Sequence, residues 1–72
     1  MGPKIERIMY IDKALSKGMN ITLKEISEEF ECTTRTASRT IEFMRDRMRA
    51  PIEYNYLKKY YEYSQEGYRI FA

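Results

Sequence analysis

Apolar residues recur every three or four positions through the first quarter of the chain, which is the repeat of an amphipathic helix. Pro3 suits the first turn of such a helix, where a backbone N–H is not needed. Gly18 supplies the left-handed residue that commonly ends a helix. The pattern therefore predicts a first helix over about residues 3–17. Its apolar stripe consists of Ile5, Ile8, Ile11 and Leu15.

A second, shorter helix is predicted over about residues 23–30. Thr22 and Glu25 have the spacing of a capping box, in which the threonine hydroxyl accepts the Glu25 N–H and the carboxylate reaches back to the Thr22 N–H. Three apolar residues then fall on one side of the helix. They are Leu23, Ile26 and Phe30.

The helical repeat starts again almost at once, so residues 31–33 must form a tight turn. Thr33 is a good N-cap, and Pro51 stops the pattern, which predicts a third helix over about residues 34–49. Its predicted core face consists of Ala37, Ile41, Met44 and Met48. Two helices joined by so short a turn form a helix-turn-helix unit.

Beyond Pro51 the apolar repeat changes to every second residue, which is the repeat of a strand. With Lys58 and Lys59 at the tip of a hairpin over about residues 52–64, Tyr56 would pair with Tyr61, and Tyr54 with Tyr63. Four tyrosines would then share one sheet face, where packing against the helices is their commoner role. Residues 65–72 would form a last strand or a docked tail.

The predicted fold is mainly α with a small β-hairpin: a three-helix winged helix-turn-helix, with residues 1–72 as one small domain. The net charge is only +2, but residues 33–50 contain five basic and two acidic side chains. Such a local excess on a single helix is the electrostatic pattern expected for a phosphate-binding surface.

Composition excludes several other classes of function. The chain has no histidine and one cysteine, Cys32, so a zinc site, an internal disulfide and a histidine-based catalytic arrangement are not expected. The expectation is a protein without cofactor, metal or small-molecule ligand, and not an enzyme. No apolar run is long enough to span a membrane and no signal peptide begins the chain, which predicts a cytoplasmic, nucleoid-associated location.

The outward half of the third helix carries the candidate DNA contacts. Arginine can donate two hydrogen bonds to guanine in the major groove, and hydroxyl side chains contact bases or phosphates. A solvated face, neutralised by Glu42 and Asp46, is the commoner explanation of a basic helix, but the position after a helix-turn favours DNA. The predicted contacts on this helix are Thr33, Thr34, Arg35, Thr36, Ser38 and Arg39.

The hairpin tip supplies the remaining candidates. Lys58 and Lys59 are expected over the phosphate backbone or minor groove, although tip lysines also protect strand edges. Tyr60 interrupts the alternation and is the tyrosine best placed for a direct contact. Thr33 differs from the other candidates, because its capping role explains it fully.

The segment from Ile21 to Arg39 resembles the N-terminal winged helix-turn-helix of DeoR-type and WYL-domain bacterial transcriptional regulators. The family pattern is similar to T-x-x-E-I-A-x-x-F-x-V-S-x-R-T-I-x-R-D-I, and this chain reads ITLKEISEEFECTTRTASR there. The segment from Pro51 to Tyr63 resembles the wing of these regulators. The resemblance extends over about residues 8–70 and implies operator binding, with Arg35, Thr36 and Arg39 facing the DNA.

Two departures from the family limit what is carried over. Thr40 stands where the family has aspartate, so a salt link to a neighbouring arginine is missing. No ligand-sensing domain follows, so the sequence is expected to be either an excised domain or a free-standing small regulator, without allosteric control by a metabolite.

The resulting prediction is sequence-specific binding of double-stranded DNA by a repressor-like regulator, with a homodimer on paired half-sites. Met9, Tyr10 and the apolar tail from Tyr68 to Phe71 are candidate dimer surfaces. Two alternatives stay open: a winged-helix protein-interaction module, and an RNA or single-strand binder that uses the hairpin tyrosines.

Overall fold

Three helices and one hairpin follow each other along the chain. The computed structural model describes residues 3–71, and of Pro3 the backbone only; Met1, Gly2 and Ala72 lie outside the described residues. The elements are α1 (Pro3–Ser16), α2 (Leu23–Glu29), α3 (Thr34–Asp46), β1 (Ile52–Asn55) and β2 (Tyr60–Tyr63). The predicted fold class, a winged helix-turn-helix that is mainly helical, is confirmed.

The core lies where the three helices meet the base of the hairpin. The predicted apolar stripes of all three helices point into it, with Leu23, Phe30 and Met48 half-buried against the cluster, except that Ile5 is half-buried and is not among the residues packed there. Two polar residues are also buried, which the apolar pattern did not predict: Asp12 in α1 and Thr40 in α3. The largest fully enclosed side chains are Ile8, Ile11, Ile21, Ile26, Ile41 and Met44.

Side-chain caps start both helices of the helix-turn-helix unit, as predicted. The Thr22 hydroxyl accepts the Glu25 N–H at 3.1 Å, and the Glu25 carboxylate accepts the Thr22 N–H at 3.2 Å. The Thr33 hydroxyl accepts the Thr36 N–H at 3.1 Å. Each cap satisfies N–H groups that have no partner within the helix, so the start of α3 is fixed by local contacts.

The third helix is shorter than predicted, because it ends at Asp46 and not at residue 49. Arg49 adopts a left-handed backbone with φ of 58°, and the Ala50 N–H donates back to the Met44 carbonyl at 3.0 Å. The residue before a proline disfavours the helical region, so the chain turns ahead of Pro51. This turn buries Ala50 and Ile52. The first two helices also end one residue before their predicted limits.

The predicted pairing of the hairpin is wrong by two residues. Tyr54 pairs with Tyr61, and Tyr63 pairs with Ile52, not with Tyr54. The connection is therefore a four-residue turn over residues 56–59, and Tyr56 is 82% exposed, outside the sheet. The alternation of apolar and polar residues predicts which face of the sheet a side chain occupies, but a shift of the strand pairing by two residues leaves every side chain on the same face. The register of the hairpin therefore depends on the turn.

Asn55 holds this turn in place. Its side-chain oxygen accepts the N–H groups of Leu57 and Lys58 at 3.1 and 3.0 Å, and its carbonyl accepts the Lys59 N–H at 2.6 Å. Lys59 takes a left-handed conformation with φ of 60°. Asparagine side chains commonly stabilise turns by such bonds to the following backbone. These bonds stabilise the turn here, although the tip contains no glycine.

Ile21 adds a third short strand segment to the sheet. It forms an antiparallel bridge with Tyr61, and the Tyr61 N–H donates to the Ile21 carbonyl at 2.7 Å. The central strand of the sheet is therefore β2, with β1 on one side and Ile21 on the other. The link between α1 and α2 is thereby tied to the hairpin.

The tail after β2 docks on the core and forms no strand over residues 65–71. The Asp12 carboxyl anchors it, because one oxygen accepts the Ile70 N–H at 2.8 Å and the other accepts the Phe71 N–H at 3.2 Å. The Tyr63 hydroxyl donates to the same carboxyl at 2.7 Å. Asp12 thus joins α1, the hairpin and the tail, and every polar partner that its burial requires is present.

Candidate nucleic-acid interface

The outward face of α3 is the centre of the candidate interface. Arg35 and Arg39 lie one helical turn apart and are exposed, while Thr36 and Ser38 between them are half-buried. The opposite side of the helix is enclosed in the core at Ala37. Core packing on one side therefore holds the two guanidinium groups on the other, where residues four apart are neighbours.

The acidic residues of α3 do not neutralise these arginines. Within residues 3–71, the only ion pair shorter than 4.0 Å joins Arg45 to its neighbour Asp46, at 3.6 Å. Both of those side chains are largely exposed, so the pair contributes little. Arg35 and Arg39 are left with their charges uncompensated by direct contact, which removes the main argument for an inert, neutralised helix face.

The hydroxyls at the start of α3 have different positions. The Thr33 hydroxyl is engaged at the cap, where it also donates to the Thr36 hydroxyl at 3.2 Å. Thr34 is exposed as the first helical residue. The backbone N–H groups of a first turn have no intrahelical acceptor and attract anions, so Thr34 lies where a phosphate oxygen would be stabilised.

Two basic residues of α1 extend the arginine face, and the sequence reasoning missed both. Lys4 and Arg7 line a shallow depression together with Thr36, Arg39 and Thr40 of α3. Their spacing of three along α1 places them on the same side of that helix. This spacing was the available signal, but the sequence alone did not show which helix that side approaches.

Specific contacts fix these two side chains against α3. The Arg7 Nε donates to the Thr40 hydroxyl at 3.0 Å, and that hydroxyl donates to the Thr36 carbonyl at 3.1 Å. The Lys4 ammonium lies 3.6 Å from the centre of the Phe43 ring, a favourable cation–π position. Arg7 of α1 thus contacts Thr40 of α3 directly by a side-chain hydrogen bond.

The hairpin places its candidates on a separate element. Lys58 and Lys59 are exposed in the turn, and Tyr60 is half-buried as the first residue of β2, opposite Asn55. The turn exposes two further side chains that the sequence reasoning had not assigned to it, Tyr56 and Leu57, the latter 95% exposed. Asn55 makes the tip a defined loop with a basic and an apolar part.

The other hairpin tyrosines are occupied by packing. Tyr54 and Tyr61 stack edge to face with ring centres 4.9 Å apart, a geometry that aromatic pairs prefer. Burial raises the pKa of the Tyr61 hydroxyl, and the neighbouring Tyr54 raises it further. The charge of Arg45 lowers this pKa, and the charge of Glu42 raises it. The hairpin contacts α3 through β1, and the stacked rings of Tyr54 and Tyr61 are not free platforms for bases.

The winged helix-turn-helix class is defined by a three-helix core flanked by a hairpin. Within that core, an exposed basic helix follows a short helix and a tight turn, as it does here. The chain belongs to the helix-turn-helix family HTH_11, described as an HTH domain, whose pattern it matches over residues 6–55. The match runs from α1 through α3 to the end of β1. The protein is thus a helix-turn-helix DNA-binding domain. No curated protein and no solved structure matches the chain.

Two further properties of the described part bear on its class. No helix within residues 3–71 has the length and apolar character that a membrane span requires. Nor do three or more metal-ligating side chains cluster anywhere in that part of the chain.

Proposed function

We propose that the protein binds double-stranded DNA in a sequence-specific manner, with α3 in the major groove, as a transcriptional regulator. The observation that carries the proposal is the pair Arg35 and Arg39. Both are exposed on the second helix of the unit and lack an acidic partner, and Lys4 and Arg7 extend the basic surface beside them. Such a helix is the reading element of this class.

The contacts divide into two kinds. Arg35 and Arg39 would read base edges by paired hydrogen bonds. Phosphate contacts would set the register, as they do in most protein–DNA interfaces. We assign them to the start of α3, to the basic end of α1 and to the turn of the wing: Thr33, Thr34, Thr36, Ser38, Lys4, Arg7, Lys58, Lys59 and Tyr60.

The biological setting that fits these residues is a repressor-like bacterial regulator of the DeoR or WYL type. It would act as a homodimer on paired half-sites, in the cytoplasm at the nucleoid. We assign the domain no catalytic role, because helix-turn-helix domains are typically non-enzymatic.

A second candidate function, single-strand binding, is favoured by one observation: Tyr56 is 82% exposed beside two lysines at the wing tip. Base stacking on such a ring would not depend on a duplex.

Fluorescence anisotropy on a labelled random-sequence duplex of about 12 base pairs, which holds about one half-site, tests the proposal. Wild type is compared with Arg35→Ala/Arg39→Ala at low and moderate salt. We expect wild-type binding to weaken steeply with salt, since phosphate contacts release counterions. In this non-specific complex the two guanidinium groups would lie against phosphates in place of base edges, so the double variant should lose at least about tenfold in affinity and the salt slope should fall by about 2.

The matched control is Lys13→Ala/Lys17→Ala, which removes the same charge from exposed positions on the outward side of α1 and just beyond it. It should bind within about twofold of wild type, because one copy of the chain occupies a duplex of one half-site and only general attraction is lost. Equal losses in both variants would contradict a role for α3. So would a folded wild type that does not bind duplex at low salt. Tighter binding to the single strand than to the duplex would favour the tyrosine-based candidate.

A further inference from the structure

The outward side of α1 carries an apolar patch centred on Tyr10. Met9 is 41% exposed, Met19 59% and Phe71 37%. Met9 and Phe71 line one shallow depression with Tyr10, and Met19 lines a second that also reaches Tyr10. The two depressions meet at Tyr10, Lys13 and Lys17, and the Tyr10 ring is held edge-on against Phe30 with centres 5.3 Å apart.

Basic side chains border this patch on one side. Lys13 and Lys17 line both depressions, and Arg69 of the tail lines the first. All three are exposed, and none has a carboxylate within 4.0 Å among the described residues. The rim therefore presents three cations beside an apolar centre, and their charges are available to a partner.

Acidic side chains border the patch on the other side. Glu25, Glu28 and Glu29 of α2 line a third depression that again includes Tyr10. Partial burial raises the pKa of the Tyr10 hydroxyl, and the charges of Glu29 and Glu25 raise it further. Glu6 is exposed one turn before Tyr10 on α1. Tyr10 thus separates a cationic rim from an anionic one.

We propose that this Tyr10-centred face is the contact surface of a two-fold dimer of the chain, which deepens the proposed function by giving the two-copy regulator its interface. A two-fold axis at Tyr10 runs the α1 helices of two copies antiparallel. The cationic rim of each copy then meets the anionic rim of the other, and the apolar centres meet on the axis. A surface that is complementary to itself is the requirement for a closed two-fold contact.

The two surfaces of the domain do not compete. α1 turns Ile8 and Ile11 into the core and Met9 outward, whereas α3 turns Ile41 into the same core and Arg39 outward. The depressions of the Tyr10-centred face share no lining residue with the depression of the arginine face, although α1 contributes to both through different residues. Two copies can join through α1 while each α3 remains open to DNA.

Sedimentation equilibrium without DNA, from about 10 to about 500 µM protein, tests the dimer separately from DNA binding. The concentration range suits a weak contact, as small interfaces are. We expect a mass that rises from the 8.7 kDa of one chain towards twice that value and no further. Lys13→Glu/Lys17→Glu/Arg69→Glu and Glu6→Lys/Glu28→Lys/Glu29→Lys should each weaken self-association at least about tenfold, because like rims repel.

An equimolar mixture of the two triple variants should restore association, since each rim again meets its opposite. The control is Glu42→Lys/Glu53→Lys, which reverses two exposed charges on residues that line none of the three depressions of this face, and it should dimerise as wild type does. Circular dichroism establishes that each variant is folded, and Met9→Asp provides a second disruption should a triple variant unfold. Three results would each overturn the proposal: a wild type monomeric at 500 µM, dimers unaffected by the triple variants, or a mixture that stays monomeric.

Discussion

Asp12 is the residue on which most of the long-range side-chain hydrogen bonds converge. It is 3% exposed, yet its two oxygens accept one hydroxyl and two backbone N–H groups. A buried carboxyl is tolerated only when such donors are present. Its hydrogen-bond donors come from positions more than fifty residues further along the chain, so this single side chain connects the first helix to the end of the domain.

Replacement of Tyr63 by phenylalanine should lower the free energy of unfolding by about 1–3 kcal/mol at pH 7, because the Asp12 carboxyl loses one donor in the core. Urea denaturation measures the change. Tyr56→Phe is the matched control, since the Tyr56 hydroxyl lies on a side chain that is 82% exposed, and it should change stability by less than about 0.5 kcal/mol.

The difference in stability between wild type and the Tyr63→Phe variant should depend on pH. Burial, and then the hydrogen bond to Asp12, raise the pKa of Tyr63 above its ordinary 10.0. The unfolded chain therefore releases a proton above about pH 10 that the folded chain keeps, and wild-type stability falls as pH rises from there. The Tyr63→Phe variant lacks this loss, so the stability gap should narrow between pH 10 and 11. A gap that widens would contradict the assigned environment.

At the scale of elements, the helices and the hairpin are stabilised differently. The two helices of the helix-turn-helix unit begin at side-chain caps, which are contacts within four residues. The hairpin depends on its turn and on cross-strand pairs, of which Glu53 and Glu62 form one. Like charges directly opposite each other are unfavourable, so the solvent side of the wing contains a local conflict.

Glu62→Lys should relieve that conflict and raise the free energy of unfolding by about 0.2–1 kcal/mol, as an opposite-charge pair replaces a like-charge pair. Thermal or urea unfolding at low ionic strength measures it, because salt screens exposed charges. Glu66→Lys makes the same change of charge at an exposed position after β2. An equal gain in both variants would assign the effect to net charge and not to the cross-strand pair.

At the scale of the whole molecule, the tail completes a core that is thin for three helices. Tyr68 and Ile70 pack against the buried cluster from outside, and Tyr68 stacks edge to face on Tyr63 with ring centres 5.0 Å apart. A domain of this size has a total stability of roughly 4–10 kcal/mol. A few partly buried side chains are therefore a large share of it.

A chain that ends after Gly67 should be less stable by about 3 kcal/mol, from the lost apolar burial of Tyr68 and Ile70. For so small a domain this corresponds to a fall in Tm of roughly 10–25 °C. Differential scanning calorimetry measures it. Arg69→Ala, which alters an exposed tail residue, should leave Tm within a few degrees. An unchanged Tm in the shortened chain would show that the docked tail contributes nothing.

Local patterns in the sequence were enough to predict the class of fold and the outward-facing residues of α3. Helical stripes, the Thr22 and Thr33 caps and the change of repeat at Pro51 are local patterns, and local contacts largely decide where helices start. Arg35 and Arg39 could be placed on the outward face for the same reason, because the helical repeat alone sets which residues oppose a core face.

The hairpin register, the burial of Asp12 and the approach of Lys4 and Arg7 to α3 could not be predicted in this way, because they depend on contacts within the folded chain. The register depends on how Asn55 closes the turn, and alternation is unchanged by a two-residue shift. Asp12 is stabilised by donors more than fifty residues away in the chain, which no local pattern records. Lys4 and Arg7 join the arginine face because α1 packs against α3. Their spacing in the sequence predicts only that they lie on the same side of α1 and not which helix that side approaches.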